Sequence, residues 1–384
     1  MTQERKTTQL VIGFDPAGNP ITYKHLSFKS RGIALSAATR SGKSTLLFEL
    51  KREIKRKIPE AQIVSIARDR MEFLQRDEIP FIIVGNKGEI PIDPKLAKQL
   101  GENIRKMHVD VILDINSLQT EKEKDEMISQ FIMGLQMDND ERFWAKPCFL
   151  FIDEIQILCK AGATAFPKTR DAIVNLGQTC LKKNIVPIVA SHRMKDFYVN
   201  VRDELSNHVV GYLDNIDQQE FACELLKLPR TESKKIDSFG ETRGTFYVRG
   251  FDICKTATII QAKATKIYED GEIIIPKLSL ENIQKATALR QSLKIEDDVS
   301  VETRLRFENA SLQAMNDELS QTQMTNDNIV KFREEGFKIG YNRCTEDSVK
   351  TIEESKPTGL AGLIKHGPNV TVKQIGWRKQ LVIE

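Results

Sequence analysis

Cysteine is sparse and unpaired in this sequence. Six residues in 384, Cys148, Cys159, Cys180, Cys223, Cys254 and Cys344, form no C-x-x-C pair and have no histidine cluster nearby. That excludes a disulfide framework and a zinc knuckle, and reads as reduced thiols of an intracellular protein. Long apolar runs are also missing. No stretch approaches the ~18 consecutive apolar residues that cross a bilayer, and the first residues, MTQERKTTQL, have no hydrophobic segment of the signal-peptide kind. The expectation is a cytoplasmic chain with no integral membrane segment. Neither sign of charge dominates: 57 Lys and Arg against 54 Asp and Glu leave +3, so the total charge does not argue for a polyanionic partner, although a local patch could still bind one. What is present is ordinary globular usage, with 40% apolar and 29% charged residues, which excludes a wholly disordered or fibrous chain. A length of 384 residues allows two or three domains, or one large α/β domain with an appendage.

To about residue 270 short apolar runs alternate with longer amphipathic segments, the pattern of a sheet whose strands are joined by helical crossovers. Strands are predicted at QLVIGF, GIALSA, QIVSIA, PFIIVG, DVILDI, CFLFID, IVPIVA, HVVGYL, GTFYVRG and TATIIQA. Helices are predicted at STLLFELKREIKRKI, EKEKDEMISQFIMGLQ, TRDAIVNLGQTCLKKN and QQEFACELLKL. Several strand candidates are unbroken apolar runs, as expected for parallel strands buried on both faces. After Pro276 the β-branched runs stop and polar residues dominate. Leu305, Leu312, Met315 and Leu319 fit a heptad seam, which lasts about two to three heptads. It suits an amphipathic helix packed on the body or on a partner, a short coiled coil, or a loosely ordered arm. The last stretch, from Lys356, has Pro and Gly punctuation and a basic, aromatic end. The expected organisation is a lead-in β-hairpin over 1–30, an α/β domain over 31–270, and a polar, mainly helical region over 271–384.

The most informative segment is GIALSAATRSGKSTLLFEL, where an apolar strand runs through a short loop into an amphipathic helix. The loop fits G-x-x-x-x-G-K-[ST] except that Ala37 takes the place of the first glycine, which requires that position to keep φ below zero. Ala38, Thr39, Arg40, Ser41, Gly42, Lys43, Ser44 and Thr45 form the predicted nucleotide cradle. Gly42 lets the backbone fold around phosphate, Lys43 reaches the β- and γ-phosphates of ATP, and the Ser44 hydroxyl ligates Mg²⁺. Such a loop needs a carboxylate at the end of a neighbouring buried strand to support the metal. Asp114 and Asp153 both end apolar runs. Asp153 is preferred because Glu154 follows it, giving one carboxylate for the metal and a second to orient or activate water; Asp114 reads as a cap at a strand end. The combination predicts ATP hydrolysis rather than passive binding. A third strand, IVPIVASHR, ends in polar residues, and His192 is a candidate sensor of the γ-phosphate.

Taken in order, these stretches resemble the HerA/FtsK superfamily of P-loop ATPases, which includes DNA pumps, conjugative coupling proteins and viral packaging motors. The likeness covers roughly residues 9 to 265. DPAGNP resembles the family's D-x-x-G-x-P hairpin turn, CFLFIDEIQIL its Walker B strand with the catalytic Glu, and IVPIVASHR its sensor strand, where His192 replaces the usual Gln. GETRGTFYVRG resembles the closing strand pair. The resemblance implies a RecA/ASCE-like α/β fold and a homo-hexameric ring that moves DNA through its pore, in the cytoplasm or in the host cytoplasm if the chain is viral. It also implies an Arg contributed to a neighbour's nucleotide. CLKKNI offers only Lys182 and Lys183 where the family carries that Arg, so Arg170, Arg193, Arg202 and Arg243 are the candidates, with Arg170 placed in the catalytic set. ARDR over 67–70, Lys160, Lys168 and Arg170 are candidate phosphate contacts in the pore. The alternative is the same motor driving virion assembly or protein secretion, with the C-terminal region binding a protein partner. A small-molecule kinase or NTPase switch fits less well, because Glu154 suits hydrolysis.

Overall fold

The computed structural model describes residues 7–26, 29–68, 70–86, 88–137, 146–160, 165–196, 199–263, 275–294, 370–375 and 378–383. The heptad positions Leu305 to Leu319, and Cys344, lie outside these residues. The chain divides into two compact units, Met1–Ala314 and Met315–Glu384. In the second unit Val370–Ile375 and Arg378–Ile383 form an antiparallel pair, in register from Val370 opposite Ile383 to Ile375 opposite Arg378.

In chain order the first unit contains β1 (Thr7–Phe14), β2 (Pro20–Leu26), β3 (Ile33–Ser36), α1 (Lys43–Lys57), β4 (Gln62–Ala67), β5 (Ile82–Val84), α2 (Ala97–Met107), β6 (Val111–Asp114), α3 (Glu121–Gln136) and β7 (Cys148–Ile152). There follow α4 (Ile155–Leu158), α5 (Pro167–Lys183), β8 (Ile185–Ser191), α6 (Val199–Asp203), β9 (Asn207–Val210), α7 (Ile216–Leu226), α8 (Ser233–Ser238), β10 (Thr245–Gly250), β11 (Thr258–Gln261) and α9 (Leu280–Ser292). Every strand predicted from the sequence is found, and α1, α3, α5 and α7 lie on the predicted helical stretches.

The strands form one sheet in the order β2-β1-β11-β10-β9-β3-β8-β7-β4-β6-β5. From β9 to β5 all neighbours are parallel, and from β9 to β2 all are antiparallel. The parallel half is covered on both faces. Ala34, Val64, Ile66, Leu150 and Ile152 pack towards α2, α3, α5 and α9, while Ile33, Leu35, Ile63, Phe149 and Phe151 pack towards α1 and β1. Successive side chains of a strand point to opposite faces, so a strand buried on both sides has no polar alternation, which is why these runs read as unbroken.

The lead-in hairpin is part of this sheet. Its turn is set by Asp15, whose carboxylate accepts from the Ala17 and Asn19 backbone N–H groups at 2.9 and 2.8 Å, with Gly18 at φ +84° completing the reversal. Beyond the boundary expected at residue 270, α9 packs into the core through Ala286 and Leu289, with Leu293 just past its end, and Asn103 of α2 donates to Ser292 at 2.8 Å. The sequence prediction omitted α2, which carries Gly101 in its interior. That glycine is explained by a close crossing: a Cβ on Gly101 would lie 2.3 Å from the Phe131 carbonyl oxygen of α3, and one on Gly134 would lie 2.1 Å from that of Lys98. Backbones that approach so closely leave room only for glycine. α3 itself starts at a reciprocal cap, with the Thr120 hydroxyl accepting from Glu123 N–H at 3.2 Å and the Glu123 carboxylate from Thr120 N–H at 3.0 Å. Among the described residues no helix is long and apolar enough to cross a membrane.

Candidate nucleotide site

The strand order itself builds the site. Parallel strands gather their carboxyl ends along one edge, and ligands bind in the crevice outside that edge. β8 lies between β3 and β7, so the loop after β3, the tip of β8 and the acidic pair after β7 stand side by side. They line a cleft of about 470 Å³ with Ala38, Thr39, Arg40, Gly42, Lys43, Ser44, Thr45, Asp153, Glu154 and His192 in its wall. Sequence positions more than 100 residues apart thus meet at one edge.

The phosphate-loop backbone is fixed from both sides. Ala37 N–H donates to the Ser191 carbonyl at 3.0 Å, and Ala38 N–H to that of Tyr212 at 2.7 Å. Ala37 keeps a negative φ, as the missing glycine requires; the left-handed positions are Arg40 at φ 66° and Gly42 at φ 100°. Its methyl group is accommodated because Gly211, opposite, has none: a Cβ there would lie 3.0 Å from that of Ala37. Ser41 is the one cradle residue outside the cleft wall. Its hydroxyl donates to the Ala38 carbonyl at 2.6 Å, closing the loop on itself.

Lys43 is buried, and its ammonium lies 2.6 Å from Asp153 Oδ1 and 2.6 Å from Glu154 Oε1. Burial opposes its charge, but the two carboxylates outweigh that and raise its pKa. Glu154 sits at the left-handed φ of 57°, just past the end of β7. Its Oε1 also meets His192 Nε2 at 2.7 Å, and Gln156 donates to its Oε2. Burial would push the Glu154 carboxyl up; the hydrogen bonds from His192 and Lys43 and the Lys43 charge reverse this and hold it at about 2. His192 bridges the two halves of the site, since Nδ1 lies 3.0 Å from the Ala37 carbonyl oxygen.

Ser44 is exposed at the start of α1 and lines the same wall as Asp153. A hydroxyl and a carboxylate are the hard oxygen donors that Mg²⁺ takes, so the residues present fit that ion. Asp114, by contrast, caps its own strand end, accepting from Asn116 N–H at 3.1 Å and from the Ser117 hydroxyl at 2.8 Å.

Three further residues line the cleft: Arg68, Asn116 and Arg243. Arg68 and Asn116 follow β4 and β6, and the strand-end rule that singled out His192 would also have found them. Arg68, one of the candidate phosphate contacts, lines this cleft. Arg170 does not line the cleft; it lies on α5, with Nε 3.8 Å from Asp171 Oδ1. Arg202 lies 4.6 Å over the Phe221 ring, Arg193 is 3.8 Å from Asp196, and Lys168 pairs with Glu126. The side chain of Arg70 is outside the described residues.

No family model matches the chain, and no curated protein matches it. Solved structures do. VirB4 of Thermoanaerobacter pseudethanolicus superposes with a TM-score of 0.50 at 14% identity, over 69% of this chain and 98% of that one. The genome packaging NTPase B204 from Sulfolobus turreted icosahedral virus 2 matches at 0.43 and 10% identity, over 61% and 98%. The cytoplasmic domain of the Thermomonospora curvata Type VII secretion ATPase EccC matches at 0.44 and 18%, over 71% and 30%. The α/β fold expected from the HerA/FtsK resemblance is the fold found.

Proposed function

We propose that the chain is an ATP-hydrolysing motor that moves DNA, acting in the cytoplasm as a homo-hexameric ring with nucleotide held at its subunit boundaries. The observation that carries this reading is the convergence of Lys43, Asp153 and Glu154 at one sheet edge, with His192 on the strand between them. ATP would lie in the cleft, its phosphates against the Gly42 backbone and the N-terminus of α1. Mg²⁺, held by Ser44 and Asp153, would neutralise charge on the β- and γ-phosphates.

The chain's own groups suggest how hydrolysis is gated. A carboxylate at about 2 is too weak a base to draw a proton from water. Glu154 becomes useful when Lys43 turns to phosphate, because losing that cation and hydrogen bond raises its basicity. The same movement leaves His192 between Glu154 and the Ala37 carbonyl, placed to pass the change to β8. From the tip of β8 the route continues to α7: Lys195 N–H donates to Gln218 at 3.1 Å, and Gln218 donates to Asp196 at 3.2 Å.

The test is steady-state ATP turnover with and without double-stranded DNA across a salt series. Turnover is expected to rise several-fold with DNA, and the stimulation to fall steeply as salt rises, since phosphate contacts release counterions. Turnover indifferent to DNA but raised by a protein bound to the C-terminal region would favour virion assembly or secretion instead.

A further inference from the structure

The loop before β10 reaches the phosphate loop across 200 residues of sequence. Gly244 N–H donates to the Ser41 carbonyl at 2.9 Å, Ala262 N–H to the Gly244 carbonyl at 2.8 Å, and Gln261 Nε2 to the Arg243 carbonyl at 3.0 Å. Gly42 and Gly244 both have positive φ, at 100° and 85°. A Cβ on Gly42 would meet the Gly244 Cα and N at 3.2 Å and the Arg243 Cγ at 3.7 Å. Two glycine backbones are therefore in contact, and the Arg243 side chain starts directly over the turn that cradles phosphate. It shares the cleft wall with Gly42, Lys43, Ser44 and Thr45. The acidic end of the cleft is already matched by Lys43, and no carboxylate among the described residues pairs with Arg243.

We propose that Arg243 binds the phosphates of the nucleotide held by its own chain, and that residues 241–244 form a strap over the phosphate loop. The inference rests on the reading of the cleft as an ATP site. A guanidinium offers a planar fork that matches the oxygens of phosphate, and it stands here beside the N–H groups of a phosphate loop, which favour the same anion. It changes the assignment expected from the sequence, in which Arg243 was a candidate to reach a neighbour's nucleotide. It also gives β10, which continues directly from Gly244, a link to nucleotide occupancy, and β10 leads the antiparallel half of the sheet.

The experiment uses the full chain carrying Arg243→Ala or Arg243→Lys. Arg243→Ala should weaken ATP and ADP binding by about tenfold or more, the size of one charge-assisted hydrogen bond, with Arg243→Lys between it and the wild type. The melting temperature without nucleotide should stay unchanged while the rise produced by ATP shrinks, a split that a merely structural role would not give. Mixing Arg243→Ala with Glu154→Gln chains separates the two assignments. An arginine acting on its own chain's nucleotide yields no restored turnover, whereas one acting on a neighbour's nucleotide yields mixed sites with both groups intact. Restored turnover, or unchanged nucleotide affinity in both Arg243 variants, overturns the proposal and leaves the ATP-site reading standing. Failure of the wild-type chain to bind ATP overturns both.

Discussion

Replacing Glu154 with Gln is expected to lower ATP turnover by about 10²–10⁴-fold, the usual contribution of a positioned general base, while ATP binding is retained. The amide is nearly isosteric with the carboxylate, and its one oxygen, in the Oε1 position, still meets Lys43 and His192, so the phosphate loop and the cleft should be undisturbed. What it removes is the one carboxylate in the cleft wall, among the described residues, other than Asp153. Single-turnover hydrolysis measured beside equilibrium binding of ATP would separate the two effects. Parallel loss of binding would show that Glu154 supports the cleft rather than the chemistry. The complementary substitution, Asp153→Asn, should act through the metal and depend on Mg²⁺ concentration.

The second large effect is expected from Lys43→Ala, and it has two parts. Nucleotide affinity should fall by about 100-fold or more, since a charge-assisted contact to two phosphates is lost along with the trigger that frees Glu154. The nucleotide-free protein should also be destabilised. Lys43 lies between two adjacent carboxylates, whose side chains are only 20% exposed. Removing one partner of a buried pair costs about 3–5 kcal/mol; the open cleft and the remaining His192 contact should bring this nearer 1–2 kcal/mol. The pH dependence has a definite sign. Glu154 is depressed to about 2 from an ordinary 4.5, so its contribution to stability is complete above 4.5 and is lost as pH falls towards 2. Urea unfolding at pH 7 and at pH 3 should therefore show a large difference between Lys43→Ala and the wild type at the higher pH and a smaller one at the lower. An equal difference at both would mean that the lost stability comes from packing of the lysine stem.

The parts of this site legible in the sequence are those carried by local pattern. Gly42, Lys43 and Ser44 stand between a buried strand and a helix, and Asp153 and Glu154 close an apolar run, so residue type and neighbourhood were enough. The fit of Ala37 could be posed as a question about φ but not answered, because its answer depends on Gly211, a residue of a different loop. Arg68 and Asn116 obey the strand-end rule but follow short strands, Gln62–Ala67 and Val111–Asp114, whose nearness to β7 is set by strand order. Strand order comes from packing of the whole sheet and is not written in any one segment. The tie between Gly244 and Ser41 belongs to the same class: it joins two loops through the antiparallel half of the sheet, and neither loop carries a mark of the other. α2 was obscured by Gly101, which weakens a helix in isolation and is required here by its crossing with α3.

ATP-driven movement along DNA can be measured as displacement of a third strand from a triplex placed ahead of the protein on duplex DNA. Displacement is expected to require hydrolysable ATP and to be abolished by Glu154→Gln even where DNA binding persists. A triplex left intact by wild-type protein that is bound to the DNA and turning over ATP would contradict it.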